Sequence, residues 1–297
     1  MQTSEYQGGG SSLALPGLTP VVKWLLISMA AVWGVELVIS LVNPDWISSV
    51  TLGTRVADGA LVPEAHWGGL FGYFGATPGI WFDRFPWLFP WQVLTYGFLH
   101  GVSSPLHLLF NLLGIYFFGT MVEGTIGSRR FLQFFLIALA AGGITSLLLK
   151  PLLMGSSGPT VGASAGVMAI LCCAATMQPR ATVLLLFFPL PLAWLAIGLV
   201  GMDAFFLIQE LAGRGTDFKD HLAHLAGAGF GFLAARRGLI WQDWGSVVEA
   251  KVAEHKAQGV ANDEGRLDEL LIKIQKEGIH SLSERERAFL KRMSDRR

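Results

Sequence analysis

Charge is scarce in this chain. Only 15% of its 297 residues are Asp, Glu, Lys or Arg, against roughly a quarter in an ordinary soluble domain. Meanwhile 52% are hydrophobic and the mean hydropathy is +0.49. That combination argues against a soluble surface and for a membrane protein. Nor is either sign in excess: Lys plus Arg and Asp plus Glu number 22 each, which leaves no global field to attract nucleic acid. Cysteine is nearly absent. Cys172 and Cys173 are neighbours in an apolar run, so they cannot build a disulfide framework and read as small packing residues. The N-terminus, MQTSEYQGGGSSLALPGLTP, has neither the basic start of a secretory signal nor the arginines of an organelle transit peptide. It is expected to stay on the chain.

Six stretches are apolar enough to span a bilayer: residues 21–42, 106–122, 131–149, 162–177, 190–208 and 221–235. The fourth and sixth are short. ATVLLLFFPLPL, before the fifth, carries Pro189 and Pro191, so its early part is predicted to be extended and packed against the protein. Arg129 and Arg130 follow span two, Arg180 follows span four, and Arg236 and Arg237 follow span six. By the positive-inside rule those ends are cytoplasmic, so spans two, four and six start on the outer side and both termini are cytoplasmic. Residues 43–105 form a large outer segment whose GIWFDRFPWLFPW stretch suits the membrane interface. The expected fold is an all-α, polytopic six-helix bundle, with a flexible tail over residues 1–20, a membrane domain over 21–240 and a cytoplasmic helical extension over 241–297. In that extension Leu267, Leu270, Leu271 and Ile274 follow helical spacing, with Gly278 at the end. Ser283-x-x-Glu286 then reads as a capping box opening a second helix.

Polar residues inside such spans are costly and tend to mark function. Ser164, within Gly162-x-Ser164-x-Gly166, lies in the first turn of span four; His224 lies in the first turn of span six; His107 and Asn111 lie in the first two turns of span two. Because these spans run the same way, all four sit at similar depth. A serine hydroxyl becomes a nucleophile when a base takes its proton, and neutral histidine is the usual base near pH 7. His224 can serve Ser164 in this way. The helix start beside Ser164 offers open N–H groups and the positive end of a dipole for an oxyanion. His107 and Asn111, four apart on one helix face, can add donors, and the Asn111 amide donates at any pH. Gly227 and Gly231 follow His224 by three and seven residues, which lets spans four and six approach closely.

The order HLLFN, GASAG, AHLAGAGFG within six spans resembles the rhomboid intramembrane serine proteases. The resemblance covers residues 91–237 and includes WQVLTYGFLHG, Gly119, and Glu123 with GSRRF. It implies that Ser164 is the nucleophile and His224 the general base and later acid. Asn111, His107 and the Ser164 backbone N–H would form the oxyanion hole. No cofactor and no metal are implied, and the partners are transmembrane protein substrates and lipids. Three departures stand out: Ala165 follows the serine where glycine is common, Met168 stands where many members carry an aromatic ring against the histidine, and the outer Trp-Arg pair appears as Trp91-Gln92. The last calls into question a salt bridge as the anchor of the outer segment. The tail resembles an extension found on some bacterial rhomboids, which favours a bacterial inner membrane.

The expected activity is therefore serine endopeptidase cleavage of transmembrane segments near the outer face through a Ser-His dyad. Rhomboids need no third member, so Asp220 reads as a solvated residue at the membrane edge, and His221 stays outside the reacting set. Asp203, an unexplained carboxylate inside span five, reads as a bonded structural residue. One alternative is an inactive relative that binds transmembrane clients, against which the retention of Ser164, His224 and Asn111 argues. Another is a transporter, whose polar groups would line all depths rather than one. A soluble hydrolase elbow needs a strand before its serine, and none is expected here. The HExxH of metalloproteolysis and the Gly-x-Gly-Asp of aspartyl intramembrane proteolysis are both missing.

Overall fold

The computed structural model describes residues 17–47, 49–57, 60–83, 89–156, 158–185, 188–214 and 220–294. The expected flexible tail falls almost wholly on residues 1–16, outside the described residues. The chain divides into two compact units, one ending at Gln242 and the other Asp243–Arg297.

The first unit is a helical bundle. Helix α1 (Pro20–Val42) starts on a proline, whose missing N–H is harmless in a first turn. The outer segment then holds an antiparallel hairpin, β1 (Ser49–Ala57) and β2 (Ala60–Gly68), with Ala57 opposite Ala60. The sequence reading did not anticipate it. Its signal is visible in retrospect: Val50, Thr51, Thr54 and Val56 favour extended backbone, and Asp58-Gly59 between the strands is a favoured hairpin dipeptide. Short helices α2 (Gly69–Phe74), α3 (Pro78–Asp83) and α4 (Gln92–Thr95) follow. Residues 84–88 of the aromatic stretch lie outside the described residues.

Helix α5 (Pro105–Ile126) contains a π turn over Ile115–Gly119. Gly127, at φ 85°, separates it from α6 (Ser128–Met154) in a conformation glycine adopts without a Cβ clash. Helices α7 (Ser164–Met177), α8 (Leu192–Leu211) and α9 (His221–Arg236) complete the bundle. Among the described residues α1, α5, α6 and α8 are long and apolar enough to cross a membrane, whereas α7 has 14 residues and α9 has 16. The architecture is an all-α polytopic membrane fold with two small hairpins.

The second hairpin, β3 (Thr182–Leu185) with β4 (Phe188–Pro191), precedes α8. This segment is extended, as its prolines suggest, but it folds back on itself and leaves Leu184 and Phe188 exposed. Among the described residues of this region, Ala181 and Val183 pack against the core. Helix α8 accordingly begins two residues later than expected, after Pro191.

Burial is inverted relative to a soluble protein. Trp24, Val38 and Leu41 of α1 and Trp194, Ile197, Phe205 and Ile208 of α8 are exposed, whereas Glu36, Gln92, His100, Asn111, Ser146, Asp203 and His221 are buried. Lipid accepts the first group; the second must find partners within the protein. Glu123 does so by capping α1 from outside: its carboxylate accepts from the Val21 and Val22 N–H groups, each at 2.9 Å, and from the Thr19 and Ser128 hydroxyls at 2.5 and 2.6 Å. An anion at that end also complements the helix dipole.

Helix α7 is the centre of the bundle, with ten of its fourteen residues buried. Helix α9 lies directly on it. A Cβ on Gly227 would stand 2.0 Å from the Ala165 carbonyl oxygen, and one on Gly231 would stand 2.1 Å from that of Ala169. Two glycines one turn apart thus let the backbones touch.

The second unit contains α10 (Trp244–Glu277) and α11 (Glu284–Ser294). Helix α10 begins much earlier than the leucine spacing alone suggested, because Asp243 caps it by accepting from the Ser246 N–H at 3.2 Å. It ends at Gly278, at φ 82°, as expected. Leu270, Leu282 and Phe289 form a small core with Leu267, Ile274, Leu290 and Met293 around it. The capping box forms: the Ser283 N–H donates to Glu286 at 2.7 Å and the Glu286 N–H donates to the Ser283 hydroxyl at 3.4 Å.

Substituting Gly231→Ala should push α9 off α7 and lower stability by about 1–3 kcal/mol, read as a lower thermal midpoint in detergent. Gly229→Ala, where an added Cβ meets nothing within 4 Å, is the control and should not. The Glu286 carboxyl is held down at about 2 by the backbone and hydroxyl of Ser283 and then by Lys273. A depressed carboxyl stabilises fully above its unfolded pKa and loses that contribution as pH falls through the folded one. Protection of the first α11 turn from amide exchange should therefore hold above pH 4.5 and fall as pH approaches about 2, a change that Glu286→Gln should abolish.

Candidate active site

The segment before α7 is tied down at Thr160, Gly162 and Ala163. Thr160 bridges to Ala76 of the outer segment through paired backbone bonds of 2.9 and 3.0 Å. The Gly162 N–H donates to the Tyr96 carbonyl at 2.9 Å. Gly162 itself has φ 123°, and a Cβ there would fall 2.5 Å from His107 Cε1. Glycine is required on both counts, and the His107 ring occupies the space it leaves. The Ala163 N–H points to His100 Nε2 at 3.4 Å.

His100 sits in the loop before α5. Burial, then the neighbouring His107, pushes its imidazole down to about 4. Its Nδ1 lies 3.2 Å from the Phe98 carbonyl, which can only accept. That places the proton on Nδ1 and leaves Nε2 to accept from Ala163. Glu36, buried within α1, fixes this loop from below by accepting from the His100 N–H at 3.1 Å and the Gly101 N–H at 2.9 Å.

Ser164 opens α7 and His224 lies in the first turn of α9. His224 Nε2 stands 2.6 Å from Ser164 Oγ. The contact follows from the helix packing, since Gly227 meets Ala165 one residue after the serine. Ala165 is buried, and its methyl faces Gly142 of α6, where a Cβ would come within 2.5 Å. Met168 is buried in the core. The aromatic ring near the histidines comes instead from α8: Phe206 stacks on His221 at 5.5 Å between centroids.

Two contacts orient α5 against α7: His107 lies against Gly162, and Gly114 meets the Val167 side chain, 2.5 Å from where its Cβ would be. The helices therefore run in the same direction. Asn111 falls between His107 and Gly114 just as Ser164 falls between Gly162 and Val167. Asn111 is buried, and its side-chain nitrogen has no hydrogen-bond partner among the described residues.

The two aspartates differ from their sequence readings. Asp220 is not solvated: it caps α9 by accepting from the Ala223 N–H at 2.9 Å, takes hydrogen bonds from the Ser146 hydroxyl and, at 2.5 Å, the Thr160 hydroxyl, and lies 3.9 Å from Lys150. It binds α6, the pre-α7 segment and α9 into one knot. Asp203 is bonded, as expected, but its partners are the two histidines: Oδ1 lies 2.7 Å from His221 Nδ1 and 3.0 Å from His224 Nδ1. His221 therefore shares the network from which the sequence reading left it out.

Gln92 replaces a salt bridge with neutral hydrogen bonds. Its amide donates to the Gly72 and Tyr73 carbonyls at 2.8 and 3.2 Å, and its carbonyl accepts from the Trp81 indole at 2.7 Å and the Thr77 N–H at 3.3 Å. Trp91 adds a bond to the Tyr73 carbonyl at 2.9 Å, and Thr95 one to Phe74 at 2.6 Å. The outer segment is anchored without a cation.

A profile of the rhomboid domain matches residues 89–239, half of the chain. The chain belongs to the rhomboid family. The rhomboid is 33% identical over 130 residues to Rhomboid protein 1, mitochondrial, of Saccharomyces cerevisiae, covering 43% of this chain and 36% of that protein. It is 32% identical over 146 residues to RHOMBOID-like protein 12, mitochondrial, of Arabidopsis thaliana, covering 44% and 42%. It is 29% identical over 147 residues to the presenilin-associated rhomboid-like protein, mitochondrial, of Rattus norvegicus, covering 47% and 37%. The matched part thus spans about two fifths of these relatives. A second profile, described as a family of unknown function, matches residues 248–296 of the rhomboid's tail.

Asp203, His221 and His224 also form a group whose potential ligand atoms lie within 4.8 Å of one another. Sequence reasoning missed Glu36 and His100. The first leaves a signal in the sequence as a lone carboxylate in an apolar span, and the second lies in the WQVLTYGFLHG stretch, where no role was assigned to it.

Replacing Asp220 with alanine removes a helix cap and the partner of two buried hydroxyls, and should lower stability by about 2 kcal/mol or more, with Asp220→Asn in between. Thermal unfolding in detergent measures it. Wild-type stability in the alanine variant would contradict the structural role.

Proposed function

We propose that this rhomboid is an intramembrane serine endopeptidase that cuts transmembrane segments near the outer face of the membrane. The observation that carries the reading is the 2.6 Å contact between His224 Nε2 and Ser164 Oγ, at the head of a helix buried in a membrane bundle. As Ser164 Oγ bonds to the scissile carbonyl carbon, its proton passes to His224 Nε2. The carbonyl oxygen becomes an oxyanion, for which Asn111, His107 and the Ser164 N–H are the donors. The unpartnered Asn111 amide supports this role, since a donor held free in a dry site acts on charge that develops only during reaction. The C–N bond then breaks, His224 returns the proton to the leaving amine, and water attacks the acyl-serine with His224 again as base.

The substrate strand approaches laterally between α5 and α8 and carries a small residue at the cleavage point. Six helices span the membrane over residues 21–240, and residues 241–297 form a cytoplasmic extension. Arg129, Arg130, Arg180, Arg236 and Arg237 mark the cytoplasmic side of a bacterial inner membrane, with both chain ends on that side. The mitochondrial names above belong to the relatives.

Protein reconstituted in liposomes should cleave a model transmembrane substrate and label with a fluorophosphonate, and Ser164→Ala should abolish both. Identical behaviour of the two proteins would overturn the protease reading. Asn111→Ala should lower turnover by about 10²-fold or more with an unchanged thermal midpoint. Unchanged turnover would reassign Asn111 to structure.

A further inference from the structure

A serine protease dyad requires nothing beyond the imidazole, yet here the far side of His224 is occupied. We propose that Asp203 is a positioning residue for the reaction, fixing the tautomer and orientation of His224, with His221 bracing Asp203 in turn. The inference rests on the protease reading above. An ionised carboxylate only accepts hydrogen bonds, so the 3.0 Å contact between Asp203 Oδ1 and His224 Nδ1 puts the imidazole proton on Nδ1. The lone pair of Nε2 is then left facing Ser164 Oγ at 2.6 Å. In the other tautomer an N–H would face the hydroxyl, and the ring could not take its proton.

The same carboxylate oxygen also accepts from His221 Nδ1 at 2.7 Å. His221 is buried, its Nε2 has no partner among the described residues, and its ring stacks on Phe206 with an interplanar angle of 19°. The two imidazoles stand nearly perpendicular, at 89°, 6.0 Å apart. Asp203 Oδ1 is thus engaged by a second imidazole besides that of His224. When Ser164 gives up its proton and His224 becomes imidazolium, the carboxylate faces the new positive charge through a bond already formed. Within the contacts among described residues, Asp203 and His221 are the titratable groups at His224; Asp220 and Lys150 engage each other at the head of α9.

Asp203 comes from α8, whose other buried residues are Leu192 and Ala196. Its bonds to His221 and His224 also tie α8 to α9, and a purely structural role as a helix anchor is the competing account. The two accounts differ in what the Asp203→Asn exchange does. A side-chain amide at this position would keep the shape of a link but can donate to Nδ1, which favours the Nε2–H tautomer and disables the base. A structural anchor tolerates that exchange.

The test uses the full-length protein in liposomes. Asp203→Asn should lower kcat by about 10⁴-fold, as for amidation of the carboxylate behind a catalytic histidine, while KM and the thermal midpoint change little. Asp203→Ala should be impaired less than Asp203→Asn, and Asp203→Glu should recover part of the rate. Independently of any variant, nitrogen-15 shifts of histidine-labelled wild type should report His224 protonated at Nδ1 when neutral. An active wild type whose Asp203→Asn form keeps its kcat, or a neutral His224 protonated at Nε2, overturns this inference alone. A wild type inert to both substrate and fluorophosphonate overturns the protease reading and this one with it.

Discussion

The approach of α9 to α7 is the constraint on which the rest depends. Gly227 and Gly231 allow the two backbones to meet at the carbonyls of Ala165 and Ala169, and no residue with a Cβ could take either place without separating the helices. The 2.6 Å contact of His224 with Ser164 lies less than one turn from the first of these crossings. The close backbones bring these two short side chains together. Ala165 extends the same packing to α6, where Gly142 makes room for its methyl.

A membrane interior supplies no water to absorb leftover polar groups, and the chain meets this with carboxylates that each gather several donors. Glu123 caps α1, Glu36 holds the loop carrying His100, Asp220 joins three elements behind the site, and Asp203 joins two histidines. Each links segments far apart in sequence. Gln92 shows that charge is not needed for such a task, since one neutral amide makes four hydrogen bonds and anchors the outer segment.

Much of the bundle was legible because apolar runs of spanning length have few alternatives. The helix ends at Gly278 and at the Ser283 capping box were legible because local hydrogen bonds decide them. The hairpin over residues 49–68 was not anticipated, because its β-branched residues and Asp-Gly dipeptide are local signals inside a segment whose aromatic residues equally suit the membrane interface. The fold-back of β3 and β4 was overlooked because proline reports extended backbone but not its pairing partner.

By itself the sequence determined the membrane character, the helical spans, the glycines of close approach and the polar residues Ser164, His224, His107 and Asn111 set near helix starts. Each of these follows from composition or from spacing within one element. Only the tertiary structure decided which carboxylate answers which donor: that Asp220, four residues before His224, bonds the Ser146 and Thr160 hydroxyls, and that Asp203, in the preceding helix, bonds the imidazoles of His221 and His224. The reason is physical. Spacing along one helix fixes a residue's face, but the rotation and depth of a helix against its neighbours are set by side-chain packing across the whole bundle, which no local pattern contains.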